Sequence, residues 1–141
     1  MADTSPNAAF LQNVFGWDVR GHSENLGPEQ DDLDDLDHAL VTVTGLGPAA
    51  GSPGIELLDY HVGTRRSISG HAAGHDVATT YSVLKVNSVE RLRADAEANG
   101  ARFISAAVTK RDGCRSMLVV GPDGHRFLAE ELPHGNPEIT E

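Results

Sequence analysis

The sequence predicts an α+β fold in which one helix-and-strands pattern occurs twice. Three observations carry that prediction. Helical spacing followed by three strand-like stretches fills residues 5–62, and a strand, a helix and three more strands fill residues 78–132. Between them, residues 63–77 are rich in Gly, Ser, Ala and His and read as a linker. The second pattern is β-α-β-β-β; the first is α-β-β-β, the same order without its leading strand.

The first helix is expected between Ser5 and Gly16. Ser5 suits its cap, Pro6 its first turn and Gly16 its end, and Phe10, Leu11, Val14 and Phe15 form one apolar face. "WDVRGHSE" reads as a strand. The acidic run "EQDDLDDLDH", residues 29–38, follows as a solvated loop, because its aspartates lack the spacing and central glycine of a calcium loop. "ALVTVTGLG" and "IELLDYHV" are the next strands. Beyond the linker, "TTYSVLKV" alternates as a strand. A helix is expected from about Ser88 to Asn99, capped by Asn87 with Glu90 three residues on, ended by Gly100, and buried along Val89, Leu92 and Ala96. "ARFISAAV", "RSMLVVG" and "HRFLAEEL" close the pattern as strands, with "GPDG" turning into the last; residues 133–141 form a tail.

Length and composition bound the function. A chain of 141 residues with 39% hydrophobic and 23% charged residues favours one soluble domain, residues 1–141. A net charge of −10 disfavours nucleic acid. No apolar run approaches the ~20 residues of a membrane span. The N-terminal "MADTSPNAAF" lacks the basic and apolar regions of a signal peptide, and a single cysteine, Cys114, suits a reducing compartment, so a cytoplasmic location is expected. Cys114 reads as a packed strand residue, since nothing near it in sequence activates a thiol.

The stretches "AAFLQNVFGWDV", "GIELLDY", "VERLRADAEANGARF" and "GPDGHRFLAEE" together resemble the vicinal oxygen chelate superfamily of glyoxalases, bleomycin-resistance proteins, extradiol dioxygenases and fosfomycin-resistance enzymes. The resemblance covers nearly the whole chain. It implies two βαβββ-type modules whose curved mixed sheet forms a cup, with metal ligands on the first and fourth strands of each module. Carried over residue by residue, those positions hold Glu56 in module one, and Tyr81 and Leu128 in module two. The leading strand of module one has no counterpart. A leucine cannot coordinate and a tyrosine is a poor ligand for divalent ions at its ordinary pKa, so no metal and no other cofactor is expected. A relocated site using Glu130 and His125 is the competing reading.

Glu56 has two readings. As a structural residue it pairs with Lys85 or Arg126 and holds the cup shut. As a functional one it is a buried acid that exchanges protons with a ligand, Tyr81 being the opposed phenol. Trp17, Leu58, Tyr60, Val83, Lys85, Arg126 and Leu128 are the expected substrate-binding residues. His71 and His75 lie in a Gly-rich linker that disfavours helical zinc spacing and better suits a segment closing over the cup; His61 points away from Glu56, and His22, His38 and His134 read as surface residues.

The expected function is handling of a small organic molecule by a metal-independent tailoring enzyme, through isomerisation, cyclisation or related proton transfer. The alternatives are a protein that sequesters its ligand and a lyase or dioxygenase with a relocated metal. The missing central strand leaves backbone groups unpaired, and a linker poor in large apolar residues makes a weak substitute, so a homodimer is also expected.

Overall fold

The computed structural model describes residues 4–51, 53–63, 80–105, 108–111 and 113–132. Chain contacts divide the protein into two compact units, residues 1–79 and 80–141. Both combine helices with sheets, as the α+β expectation required. The expected linker beyond Gly63 and the expected tail lie outside the described residues.

In the first unit, helix α1 spans Ser5–Phe15 and buries Phe10, Leu11 and Val14. Its cap position is Thr4 rather than Ser5, with Pro6 in the first turn. Gly16 ends it at φ 66°, a left-handed conformation that glycine reaches without Cβ strain, and the Trp17 N–H returns to the Leu11 carbonyl at 3.3 Å. Strands β1 (Asp18–Asn25), β2 (Val41–Gly47) and β3 (Ile55–Tyr60) then form an antiparallel sheet in sequence order. Among the described residues β3 pairs with β2 alone.

The acidic run is not a loop throughout. Pro28–Asp34 form a short helix, α2, with Pro28, Glu29 and Asp31 in its first turn. Proline there costs no hydrogen bond, and carboxylates near a helix N-terminus are favoured by its dipole. The Asp31 carboxylate further accepts the Ala39 N–H at 2.8 Å, tying the segment to the start of β2.

The second unit contains β4 (Tyr81–Val86), α3 (Val89–Ala98), β5 (Arg102–Phe103), β6 (Thr109–Arg111), β7 (Cys114–Val120) and β8 (Arg126–Glu131). Strand order is β4-β8-β7-β5, with β6 also on β7. The β4–β8 pair is parallel and the others antiparallel. The expected strand at 101–108 is reduced to two residues, and β6 was not foreseen.

One face of this sheet is core. Met117, Val119, Phe127 and Ala129 are buried, as are Val89, Leu92 and Ala96 of α3. Burying each large apolar side chain stabilises by about 1.5–3 kcal/mol. The cap of α3 is Ser88, not Asn87: its hydroxyl accepts the Arg91 N–H at 3.3 Å. A second acceptor comes from the sheet. Glu131, 5% exposed, accepts the Val89 N–H at 3.0 Å, and Arg115 Nη1 lies 3.6 Å from the same carboxylate oxygen. Arg115 also pairs with Glu90, so charge joins β7, β8 and the first turn of α3.

Candidate functional site

Strand alternation gives each sheet a second face, less completely buried than its core one although Val41, Ser116 and Val120 on it are themselves buried. On β3 that face carries Glu56, Leu58 and Tyr60, opposite Gly45, Val43 and Val41 of β2. Gly45 leaves the space beside Glu56 open. The Glu56 carboxylate is exposed, and among the described residues it makes no hydrogen bond or ion pair. The expectation of a buried acid is therefore corrected: a short face bordered by glycine does not enclose it.

Tyr60 is differently placed. Its hydroxyl donates to Asp34 of α2 at 3.2 Å. Burial, and then the hydrogen bond and charge of Asp34, raise its pKa above the ordinary 10.0, since the phenolate would be both desolvated and beside a carboxylate. Trp17 stands against Phe15 at the end of α1, their ring centroids 6.4 Å apart. Leu58 is half-buried beside Val43.

In the second unit the corresponding face is ordered in rungs. Arg102, Val120, Arg126 and Tyr81 align across β5, β7, β8 and β4; Leu118, Leu128 and Val83 form the next rung, and Ser116, Glu130 and Lys85 the one after. Tyr81 and Val83 are 53% and 50% exposed, so this side of β4 is open. Lys85 Nζ lies 2.6 Å from Glu130 Oε2, and that hydrogen bond raises the pKa of the ammonium. Lys85 is thus held by a carboxylate of its own unit.

The relocated metal set does not assemble. Glu130 is the partner of Lys85, whereas His125 lies on the opposite face, its Nε2 3.1 Å from Ser82 Oγ and its ring 4.8 Å from that of Phe127. Among the described residues, no group of three or more His, Cys, Asp or Glu side chains is placed to hold a metal ion. The three positions carried over from the family, Glu56, Tyr81 and Leu128, include one carboxylate, and Leu128 sits in an apolar rung. These residues do not fit the family's usual metal.

Among the remaining histidines, His61 Nε2 is 2.8 Å from Thr42 Oγ1, on the side away from Glu56, and His22 Nδ1 is 3.1 Å from Thr44 Oγ1. His38 is exposed, while His71, His75 and His134 fall outside the described residues. Cys114 is half-buried on β7. The β7 contribution of Ser116, Leu118 and Val120 was missed from sequence, although their alternation with Met117 and Val119 was legible. None of the described helices is long and apolar enough to cross a membrane.

Comparison with known proteins bears on the same chain. The family description "Glyoxalase/Bleomycin resistance protein/Dioxygenase superfamily" matches residues 2–128. Among solved structures, a glyoxalase family protein from Bacillus cereus superposes with a TM-score of 0.82 at 14% identity, covering 93% of this chain and 87% of that one. A glyoxalase I from Leishmania major gives 0.58 at 20% identity over 93% and 80% of the two chains. A fosfomycin resistance protein from Listeria monocytogenes, solved with Mn(II), gives 0.58 at 16% identity over 92% and 82%. At these identities the likeness is one of fold. No curated protein matches the chain.

Proposed function

Because this chain belongs to the glyoxalase/bleomycin resistance protein/dioxygenase superfamily, we propose that it handles a small organic ligand without the metal chelate usual in that family, as a metal-independent proton-transfer enzyme. The observation that supports this reading is Glu56, an exposed carboxylate without a hydrogen-bond or ion-pair partner among the described residues, on a face otherwise formed by Leu58, Val43 and Gly45. Exposed and without a partner among the described residues, its two oxygens are open to accept from a ligand.

In this reading Glu56 takes a proton from one carbon of the ligand and returns it to another, which completes an isomerisation with the carboxylate unchanged. Positioned acid–base groups of this kind contribute roughly 10²–10⁴-fold to rate. The test is deuterium uptake from D2O into small α-carbonyl compounds, followed by NMR. Exchange by the wild type and its loss, by about 100-fold or more, in Glu56→Gln is expected. Equal exchange by both proteins would reject Glu56 as the base.

Ligand sequestration is the second reading, favoured by the half-exposed Tyr81 and Val83 beside Leu128, an apolar platform that binds without requiring chemistry. Stoichiometric binding with no turnover would select it. The proposal includes a homodimer, in which a second copy pairs with the outer edge of β3. Light scattering at micromolar concentration should then give twice the 15.0 kDa chain mass. A monomer would reject it.

A further inference from the structure

We infer that the open face of the second unit selects a monoanionic carboxylic acid with an apolar body, its carboxylate seated at the Arg102–Arg126–Tyr81 end. This rests on the reading above that the face takes a small organic ligand.

Arg102 and Arg126 are both cross-strand neighbours of Val120. With strands about 4.8 Å apart, their Cα atoms stand about 10 Å apart, so two long guanidinium side chains can converge above the small valine between them. Tyr81 is the register partner of Arg126 and adds a phenol donor to the same rung. Arg126 already interacts within the chain, and the five N–H donors of a guanidinium allow it to hold a further acceptor alongside.

The charge distribution along the face has a direction. At the far rung Lys85 and Glu130 neutralise one another. The middle rung, Val83, Leu128 and Leu118, is apolar. Near the arginine rung stands Asp123, whose Oδ1 accepts the His125 N–H. Two guanidinium groups at one end of an apolar strip, in a chain with 11 basic and 21 acidic residues, complement a ligand with one anionic end. A monoanion suits it better than a dianion, because two arginines less the neighbouring Asp123 leave this end a formal charge of +1, which one negative charge balances. The forked donors of arginine also match the two carboxylate oxygens.

Calorimetric titration of the full chain with 2-naphthoic acid, 2-naphthamide and 2-naphthylphosphonic acid tests this inference. The acid should bind about 10-fold or more tightly than the amide, as expected for charge-assisted bonds. Arg102→Gln and Arg126→Gln should each weaken the acid several-fold and leave the amide unchanged. Arg102 is the exposed residue of the two-residue β5, so its variant keeps the test available if Arg126→Gln fails to fold. Equal affinity for acid and amide, tighter binding of the phosphonate, or acid binding unaffected by Arg102→Gln would overturn the carboxylate assignment. In those cases loss of all binding in Leu128→Asp would leave the broader ligand reading standing. No binding of any of the three compounds would overturn the inference and its premise together.

Discussion

Replacing Glu131 should loosen α3 from the sheet and destabilise the second unit more than any surface charge change. The carboxylate is buried, accepts the first helical N–H at 3.0 Å and faces Arg115 at 3.6 Å. Glu131→Ala removes a charged hydrogen bond, of order 1.5–3 kcal/mol, and a favourable interaction with the helix N-terminus, about 0.3–1 kcal/mol. The half-exposed Arg115 recovers part of this by turning to water or to Glu90. A loss of about 2–3 kcal/mol is therefore expected for alanine. Glu131→Gln should cost about half as much, because its amide oxygen still accepts from Val89 but carries no charge. Trp17, the single tryptophan, belongs to the first unit, so its fluorescence is the wrong probe. Urea unfolding followed by circular dichroism, with hydrogen exchange of the α3 amides, reads the loss directly. A loss below about 0.5 kcal/mol for alanine, the ordinary range of surface changes, would refute the anchoring argument. Equal costs for alanine and glutamine would refute the hydrogen-bond part of it.

Two further outcomes concern side chains whose pKa is raised in the folded protein. Tyr60 has a raised pKa in the folded protein, so its contribution to stability is complete below pH 10 and is lost as pH rises through the folded value. Tyr60→Phe should lower stability at pH 7 by about 0.5–1.5 kcal/mol and flatten the decline in melting temperature above pH 10; an unchanged decline would show that Asp34 does not restrain the phenol. Lys85 is raised in the same direction, but its ammonium is open to water. Lys85→Met should therefore leave the melting temperature at pH 7 nearly unchanged in 1 M salt, and a large drop there would contradict a screened surface pair.

Periodicity made most of the fold legible. Phe10, Leu11 and Val14 on one turn spacing, and the two-residue alternation of "YSVLKV" and "RFLAEE", identified α1, β4 and β8 within a residue or two. Composition misled where it was extreme. Six acids between Glu29 and Asp37 suggested a loop, yet Pro28 and the first-turn acids are themselves helix-start signals. The cap of α3 moved from Asn87 to Ser88 because the choice depends on backbone conformation, which neighbouring polar residues do not distinguish. At the site, alternation assigned Tyr81, Val83 and Lys85 to one face and Arg126, Leu128 and Glu130 to another. The Lys85–Glu130 pair needed the parallel register of β4 and β8, which is a property of the sheet. Likewise, the hydrogen bond from Tyr60 to Asp34 spans 26 residues and required α2 to exist.

The most direct test of a ligand site without the family's metal is the metal content of the protein itself. Protein purified without added metal and dialysed against buffer should contain well under one Mn, Fe, Ni or Zn ion per chain. Calorimetric addition of each ion should show no tight site, because Glu56, Tyr81 and Leu128 supply one good donor in place of the several that hold a divalent ion. About one tightly held ion per chain would contradict the account, and would mean that donors beyond these three converge in the folded protein.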